Sequence, residues 1–473
     1  MCFNLIQSIS WQIHLKNLRL NITYIVIAMP VHPIEFRYSY PEMYAVFTEE
    51  AKLQSWFDVE VALAWAHAEL DTIPKSAAEE IEKKAKVGIV KVERVKEIEE
   101  KTRHDLLAMV YALQEVCKGD AGGYIHLGAT SYDIEDTALA IQLRKAMEII
   151  ESDLKNLLKV LLDKAGEHRK TICIGRTHGQ HALPMTYGLK FAIWASEVSR
   201  HIDRFDEVRR RVLVGKMSGA VGTMAGFGKK GFEVQRIAMQ RLGLEPALVS
   251  NQIIQRDRHA ELQCLLALIA GTMDKMGREL RNLQRTEIAE ISEPARSPSS
   301  TMPQKMNPSN TERICGLARV IRGSVAPSLE SIALEHERDI SNSSLERVII
   351  PEGFILTDFI LRQMTGIIKG LNFDSDNIER NLNMTLGLIL GERVMIELVA
   401  KGVGRQEGHE LLRRLSLKSW NEKRPLREVM EEDPEASKLI SSKEMDDWLN
   451  PHTYIGTSIE QVDRAILVLR KKL

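Results

Sequence analysis

An all-α protein built around a bundle of long helices is what this chain of 473 residues predicts, and three observations carry that reading. Leu139, Leu143, Met147, Ile150, Leu154, Leu157 and Leu161 recur at spacings of three and four. Tyr187, Phe191, Trp194, Val198, Ile202, Phe205, Val208 and Val212 do much the same, as do Leu262, Leu266, Ile269, Met273, Met276, Leu280 and Leu283. A repeat near every 3.5 residues is the seam of coiled-coil-like packing, and each stripe spans roughly 35–40 Å. Aromatic residues are only 5% of the chain, and no stretch alternates apolar with polar residues, so little sheet is expected.

Composition bounds the function. Lysine plus arginine number 64 and aspartate plus glutamate 65, a balance that gives no general reason to expect nucleic acid or a membrane as partner. The five cysteines, Cys2, Cys117, Cys173, Cys264 and Cys315, never form a C-x-x-C pair. Neither a disulfide framework nor a metal site is suggested, and a reducing cytoplasm fits.

In chain order, residues 1–28 read as an upstream extension outside the fold. Ile22 to Ala28 is apolar but too short for a signal peptide or a span, and Met29 offers a natural start. Residues 29–130 read as a helical N-terminal domain, 131–378 as the central bundle and 379–473 as a small helical C-terminal domain. In the first of these, Phe57, Val61, Ala64 and Ala68 mark an amphipathic helix. Thr102 is the expected cap of the helix that opens at Thr102-Arg103-His104-Asp105, where Asp105 is too close in sequence to orient His104. Pro351 is expected to kink or restart a helix running through Phe359 to Ile367.

The breaks between helices hold the chemistry. Arg37-Tyr38-Ser39 is either an ordinary surface turn or a phosphate clamp. His126-Leu127-Gly128-Ala129-Thr130-Ser131 is either a helix cap or a place where hydroxyls and helix N–H groups hold an anion. His178 sits in a glycine-flanked polar turn, solvated or catalytic. The run Gly215 to Gly231 has six glycines but fails the phosphate-loop pattern at Thr223 and Lys230, so its glycines are expected to let chain segments approach closely. Gln252 lies just before the third stripe. Arg338, Ser343 and Arg347 either belong to a salt-bridged surface or cradle an anion.

One stretch is more specific. Ser297 to Pro308 contains three prolines and a run of hydroxyls, so it reads as a loop between helices. Its paired hydroxyls lie a few residues from Lys305 and Asn307, a kit for gripping a carboxylate while a hydroxyl moves a proton. Ser299-Ser300-Thr301-Met302-Pro303-Gln304-Lys305-Met306-Asn307-Pro308 resembles the signature loop of the fumarase/aspartase superfamily. One departure is Pro298, where relatives usually have glycine; proline cannot take the positive φ that glycine allows.

Together with Arg37-Tyr38-Ser39, Arg103-His104-Asp105, Thr130-Ser131-Tyr132-Asp133, Arg176-Thr177-His178-Gly179-Gln180 and Gln255-Arg256-Asp257-Arg258-His259, the loop gives residues 30–473 a resemblance to the purine-nucleotide branch of that superfamily. The resemblance implies the superfamily's three-domain fold and elimination of fumarate from a succinylated purine nucleotide and its succinyl-imidazole-carboxamide precursor, without a metal or organic cofactor. It implies Ser299 as the base that takes the Cβ proton, His178 as the acid that protonates the leaving nitrogen, and His104 and His126 assisting at the substrate. Arg37, Tyr38, Arg338, Ser343 and Arg347 would hold the nucleotide end. Thr130, Ser131, Gln252, Ser300, Lys305 and Asn307 would hold the carboxylates, with Arg103 and Asp105 beside them. A homotetramer with shared active sites is also implied. The alternatives are an argininosuccinate-cleaving or other relative, or a non-catalytic helical scaffold.

Overall fold

A computed structural model describes residues 6–10, 23–27, 32–294, 297–298 and 300–473. Within the stretch read as an extension, Ile6–Ser10 (β1) and Thr23–Ile27 (β2) pair antiparallel. The chain that follows is mostly helix, as the stripes require. Glu49–Glu69 (α1) starts where the Thr48 hydroxyl accepts the Ala51 N–H at 3.2 Å. Asp105–Val116 (α2) follows, then the 37-residue Ser131–Glu167 (α3). At about 55 Å α3 exceeds the expected length, because its helical pattern extends beyond the leucine stripe at both ends.

A β-hairpin, Ile172–Thr177 (β3) with Gln180–Thr186 (β4), leads into Tyr187–Val212 (α4). Gly231–Leu242 (α5), Asp257–Leu283 (α6), Ser309–Gly323 (α7) and Ser341–Lys369 (α8) complete the middle of the chain. Pro351 lies inside α8, which continues through it as one element. Gly391–Ala400 (α9) and Arg405–Glu422 (α10) pack together near the C-terminus.

By compactness the chain divides into two units, each drawn from three stretches, with boundaries falling inside long helices. The first comprises the chain up to Ile150, Val208–Leu266 and Gly323–Phe359; the second comprises Glu151–Glu207, Ala267–Arg322 and Ile360–Leu473. In the first, α1 packs on α5 over a core that includes Trp56, Phe57, Leu63, Leu113, Ile134 and Met239. In the second, Leu398, Leu411, Leu415, Leu426, Met430 and Trp448 form a core under α9 and α10. The glycine-rich break behaves as expected. A Cβ on Gly226 would stand 2.6 Å from the Gly128 carbonyl oxygen, so two backbone segments meet where no side chain fits.

Candidate active site

In the first unit the candidate residues gather around the N-terminus of α3. Asp133, three residues after Thr130, accepts the Thr130 N–H at 2.9 Å, which is half of a capping box. The same carboxylate accepts the Ser218 and Gly219 N–H groups at 2.8 and 3.0 Å and the Lys216 ammonium at 2.5 Å. Asp133 and Lys216 are both fully buried, so this ion pair locks the Thr130-Ser131 turn to the glycine-rich segment. Ser131 Oγ then lies 3.4 Å from His104 Nε2.

His104, and not Thr102, is the cap of α2. Its Nδ1 accepts the Leu107 N–H at 3.4 Å, while the Thr102 hydroxyl donates backward to the Ile98 carbonyl at the end of a short preceding helix, Val92–Thr102. The expectation for Thr102 failed because Arg103, at φ 52°, ends that helix in the left-handed region and delays the next start by two residues. Asp105 stays 3.7 Å from His104 Nδ1 and engages Arg347 at 2.6 Å instead. Burial opposes the charge on Asp105, but the Arg347 guanidinium outweighs it and holds the carboxyl below its ordinary range.

Arg347 also reaches Glu135 at 3.2 Å. Burial first, then nearby Asp105, pushes the Glu135 carboxyl up to about 7 against the opposing pull of Arg347. Arg338 stands over the Tyr132 ring, its Cζ 3.7 Å from the centroid, and donates to Gln252 Oε1 at 3.0 Å. Gln252 in turn donates to the Ala220 carbonyl. Ser343 Oγ donates to the Ile340 carbonyl at the start of α8. A cavity of about 160 Å³ is lined by Tyr132, Glu135, Ser343 and Arg347 together with Lys52 and Trp56. Arg37 is exposed and sits 5.8 Å from the Tyr38 ring centroid, while Tyr38 meets Phe359 edge-on. His126, at φ 64°, is held by Glu60 through both its backbone and its ring.

The second unit presents its candidates differently. His178 and Gly179 form the two-residue tip of the β3–β4 hairpin with φ 55° and 75°, and positive φ at both positions is the pattern of a type I′ turn. His178 is exposed, and the polar turn expected from sequence is the tip of a paired hairpin. Arg176 donates to the fully buried Glu290 at 2.5 Å; the Tyr187 hydroxyl and the Asn381 amide donate to the same carboxylate. Burial and then Glu290 drive the Tyr187 phenol well above its ordinary range, which keeps it a proton donor.

In the signature loop, Ser297–Pro298 pairs antiparallel with Met306–Asn307, pinning the two ends together. Ser300 and Lys305 are exposed and Asn307 is half-buried; Ser299 lies outside the described residues. Among the described residues no His, Cys, Asp and Glu group has the arrangement of a metal site, and no helix is long and apolar enough to cross a membrane.

Sequence reasoning missed Glu60, Lys216 and Glu290. Glu60 had a legible signal: with Trp56, Leu63 and His67 it falls on the inward face of α1, a charge inside an apolar stripe. Lys216 and Glu290 had none, because their partners are distant in sequence.

Comparison with known proteins sets this geometry in context. Residues 35–323 match the family model described as Lyase, and residues 387–465 match that described as Adenylosuccinate lyase C-terminus. Curated relatives named adenylosuccinate lyase are similar along nearly the whole chain. That of Methanocaldococcus jannaschii is 52% identical over 94% of this chain and 97% of its own; that of Pyrococcus abyssi is 52% identical over 93% and 98%. Among solved structures, the 3-carboxy-cis,cis-muconate lactonizing enzyme of Pseudomonas putida superposes with a TM-score of 0.86 at 34% identity, over 92% of this chain and 98% of its own. A fumarate lyase from Mesorhizobium sp. BNC1 gives 0.85 at 33%, over 91% and 98%.

Proposed function

This chain belongs to the adenylosuccinate lyase family and is a lyase, and from that premise we propose that it eliminates fumarate from adenylosuccinate to give AMP, and likewise from the succinylated imidazole-carboxamide ribotide. Ser299 takes a proton from Cβ of the succinyl arm, and the electron pair passes into the adjacent carboxylate. Collapse of that aci-carboxylate forms the carbon–carbon double bond and expels the purine nitrogen, which receives a proton from His178. Lys305, Asn307, Thr130 and Ser131 lower the barrier where the negative charge accumulates. An ordinary serine is a poor base, so the loop must close into a dry, donor-rich site before Ser299 acts.

Arg338, Ser343, Arg347, Arg37 and Tyr38 hold the nucleotide, with Gln252, Ser300, Arg103, His104, Asp105 and His126 around the succinyl arm. The observation that carries the reading is the presentation of His178: an exposed imidazole on a hairpin tied through Arg176 to a buried carboxylate that also accepts from Tyr187 and Asn381. Such a stalk serves to deliver a ring to something outside its own fold.

We place the protein in the cytoplasm as a homotetramer whose active sites combine groups from several chains. Ile193 on α4, Leu268 on α6 and Val348 on α8 are all more than half exposed, which supports burial of these helices against other copies. The three-part division at residues 130 and 378, with 1–28 outside the fold, belongs to the same proposal; insolubility on deleting 1–28 would count against it. The test of function is direct. Purified protein should release fumarate from adenylosuccinate, and Ser299→Ala should abolish release while leaving the oligomer intact. Turnover retained in that variant would point to another base.

A further inference from the structure

His126 is held in an unusual way. Glu60, only 1% exposed on α1, places one carboxylate oxygen 3.0 Å from the His126 backbone nitrogen and the other 2.7 Å from Nδ1 of the same residue. The two contacts fix both the left-handed backbone, at φ 64°, and the plane of the ring. Nδ1 donates to Glu60, so the ring's free edge is Nε2, which has no hydrogen-bond partner among the described residues. The side chain keeps 22% of its surface open.

We infer that Glu60 is a positioning residue for the lyase reaction, holding His126 as an imidazolium that presents its Nε2–H to an anionic oxygen of the substrate. The inference deepens the function proposed above and rests on it. The groups that face His126 agree with a cationic ring. Burial works against the charge, but Glu60 outweighs it by attraction and hydrogen bonding, and Asp133 from α3 adds to the same side, so His126 titrates above an ordinary histidine. His67, two turns beyond Glu60 on α1, donates Nε2–H to the Leu127 carbonyl at 2.9 Å, and its own burial favours the neutral form. The neighbourhood therefore holds one imidazolium over a carboxylate, and the adjacent histidine does not compete for the charge. The anionic oxygen belongs either to the 5′-phosphate or to a succinyl carboxylate.

The test is the pH profile of kcat/KM for Glu60→Gln, with His126→Gln and the double variant alongside. Loss of the carboxylate should move the alkaline limb of the profile down by about one to three units, a loss of tenfold or more at alkaline pH. The double variant should be no worse than His126→Gln alone. Product inhibition identifies the anion: weaker inhibition by AMP assigns His126 to the phosphate, weaker inhibition by fumarate assigns it to the carboxylates. An unshifted limb with unchanged inhibition by both products would overturn the inference, as would equal losses from Glu60→Gln in the presence and absence of His126. Should Glu60→Gln fail to fold, Glu60→Asp replaces it in the same cycle, and its loss must likewise vanish when His126 is absent. If the unaltered protein releases no fumarate, the functional reading itself falls; if it does and Glu60→Gln behaves like it, only this inference falls.

Discussion

In the first unit the candidate groups already grip one another: Arg347 with Asp105 and Glu135, Arg338 with Gln252 and Tyr132, His126 with Glu60, and the Thr130 turn with Asp133. In the second unit His178, Ser300 and Lys305 stand exposed on a hairpin tip and a loop. The difference fits the two tasks proposed above. Binding a nucleotide gains from side chains ordered in advance, since ordering them later subtracts from affinity. Moving protons on a succinyl arm needs groups brought in as water leaves.

The largest effect should come from the exposed side. His178→Gln removes the proposed proton donor while leaving the Glu290 anchor untouched, and kcat should fall by about 10²–10⁴-fold with little change in KM. A KM effect of the same size would mean that the ring binds substrate and does not move the proton.

On the preorganised side, Lys216→Met strands a fully buried Asp133 and should cost about 3–5 kcal/mol of stability, read as a lower urea midpoint. A midpoint within error of the parent would show that the pair is not what holds the Thr130 turn.

Glu135 gives a smaller effect that depends on pH. Its carboxyl is raised to about 7, chiefly by burial, so between roughly pH 4.5 and 7 the folded chain binds more protons than the unfolded chain. This group therefore subtracts stability as pH rises through that window. Glu135→Gln should flatten the decline in Tm across it, with little change below pH 4.5; a parallel curve would assign the decline to other groups.

The smallest effect is expected at Thr102. Its hydroxyl is not a cap, so Thr102→Ala should stay within about 0.5 kcal/mol of the parent, whereas loss of a true cap costs about 0.5–2 kcal/mol.

The long helices were legible because a buried face must repeat with the helix, and the leucine-rich stripes left no alternative. The β3–β4 hairpin was not: its strands are six and seven residues long, and Gly175 and Pro184 interrupt any alternation. His178 was visible as a residue beside Gly179, but the I′ turn that lifts it depends on pairing across the hairpin. The loop chemistry was visible as a run of residue types. What fixes the candidate groups was mostly hidden, because Asp133 with Lys216 and Arg176 with Glu290 join positions 83 and 114 residues apart. Glu60 was the exception, because a carboxylate on a buried helix face requires a partner.

The proposed sharing of one active site between chains is tested most directly by mixing two inactive proteins. Arg347→Ala disables the proposed binding groups of the first unit and His178→Gln the proposed proton donor of the second. Co-expressed and purified together as mixed oligomers, the two should regain fumarate release, since some sites then combine an intact Arg347 from one chain with an intact His178 from another. A mixed oligomer that forms and stays inactive would contradict the proposal.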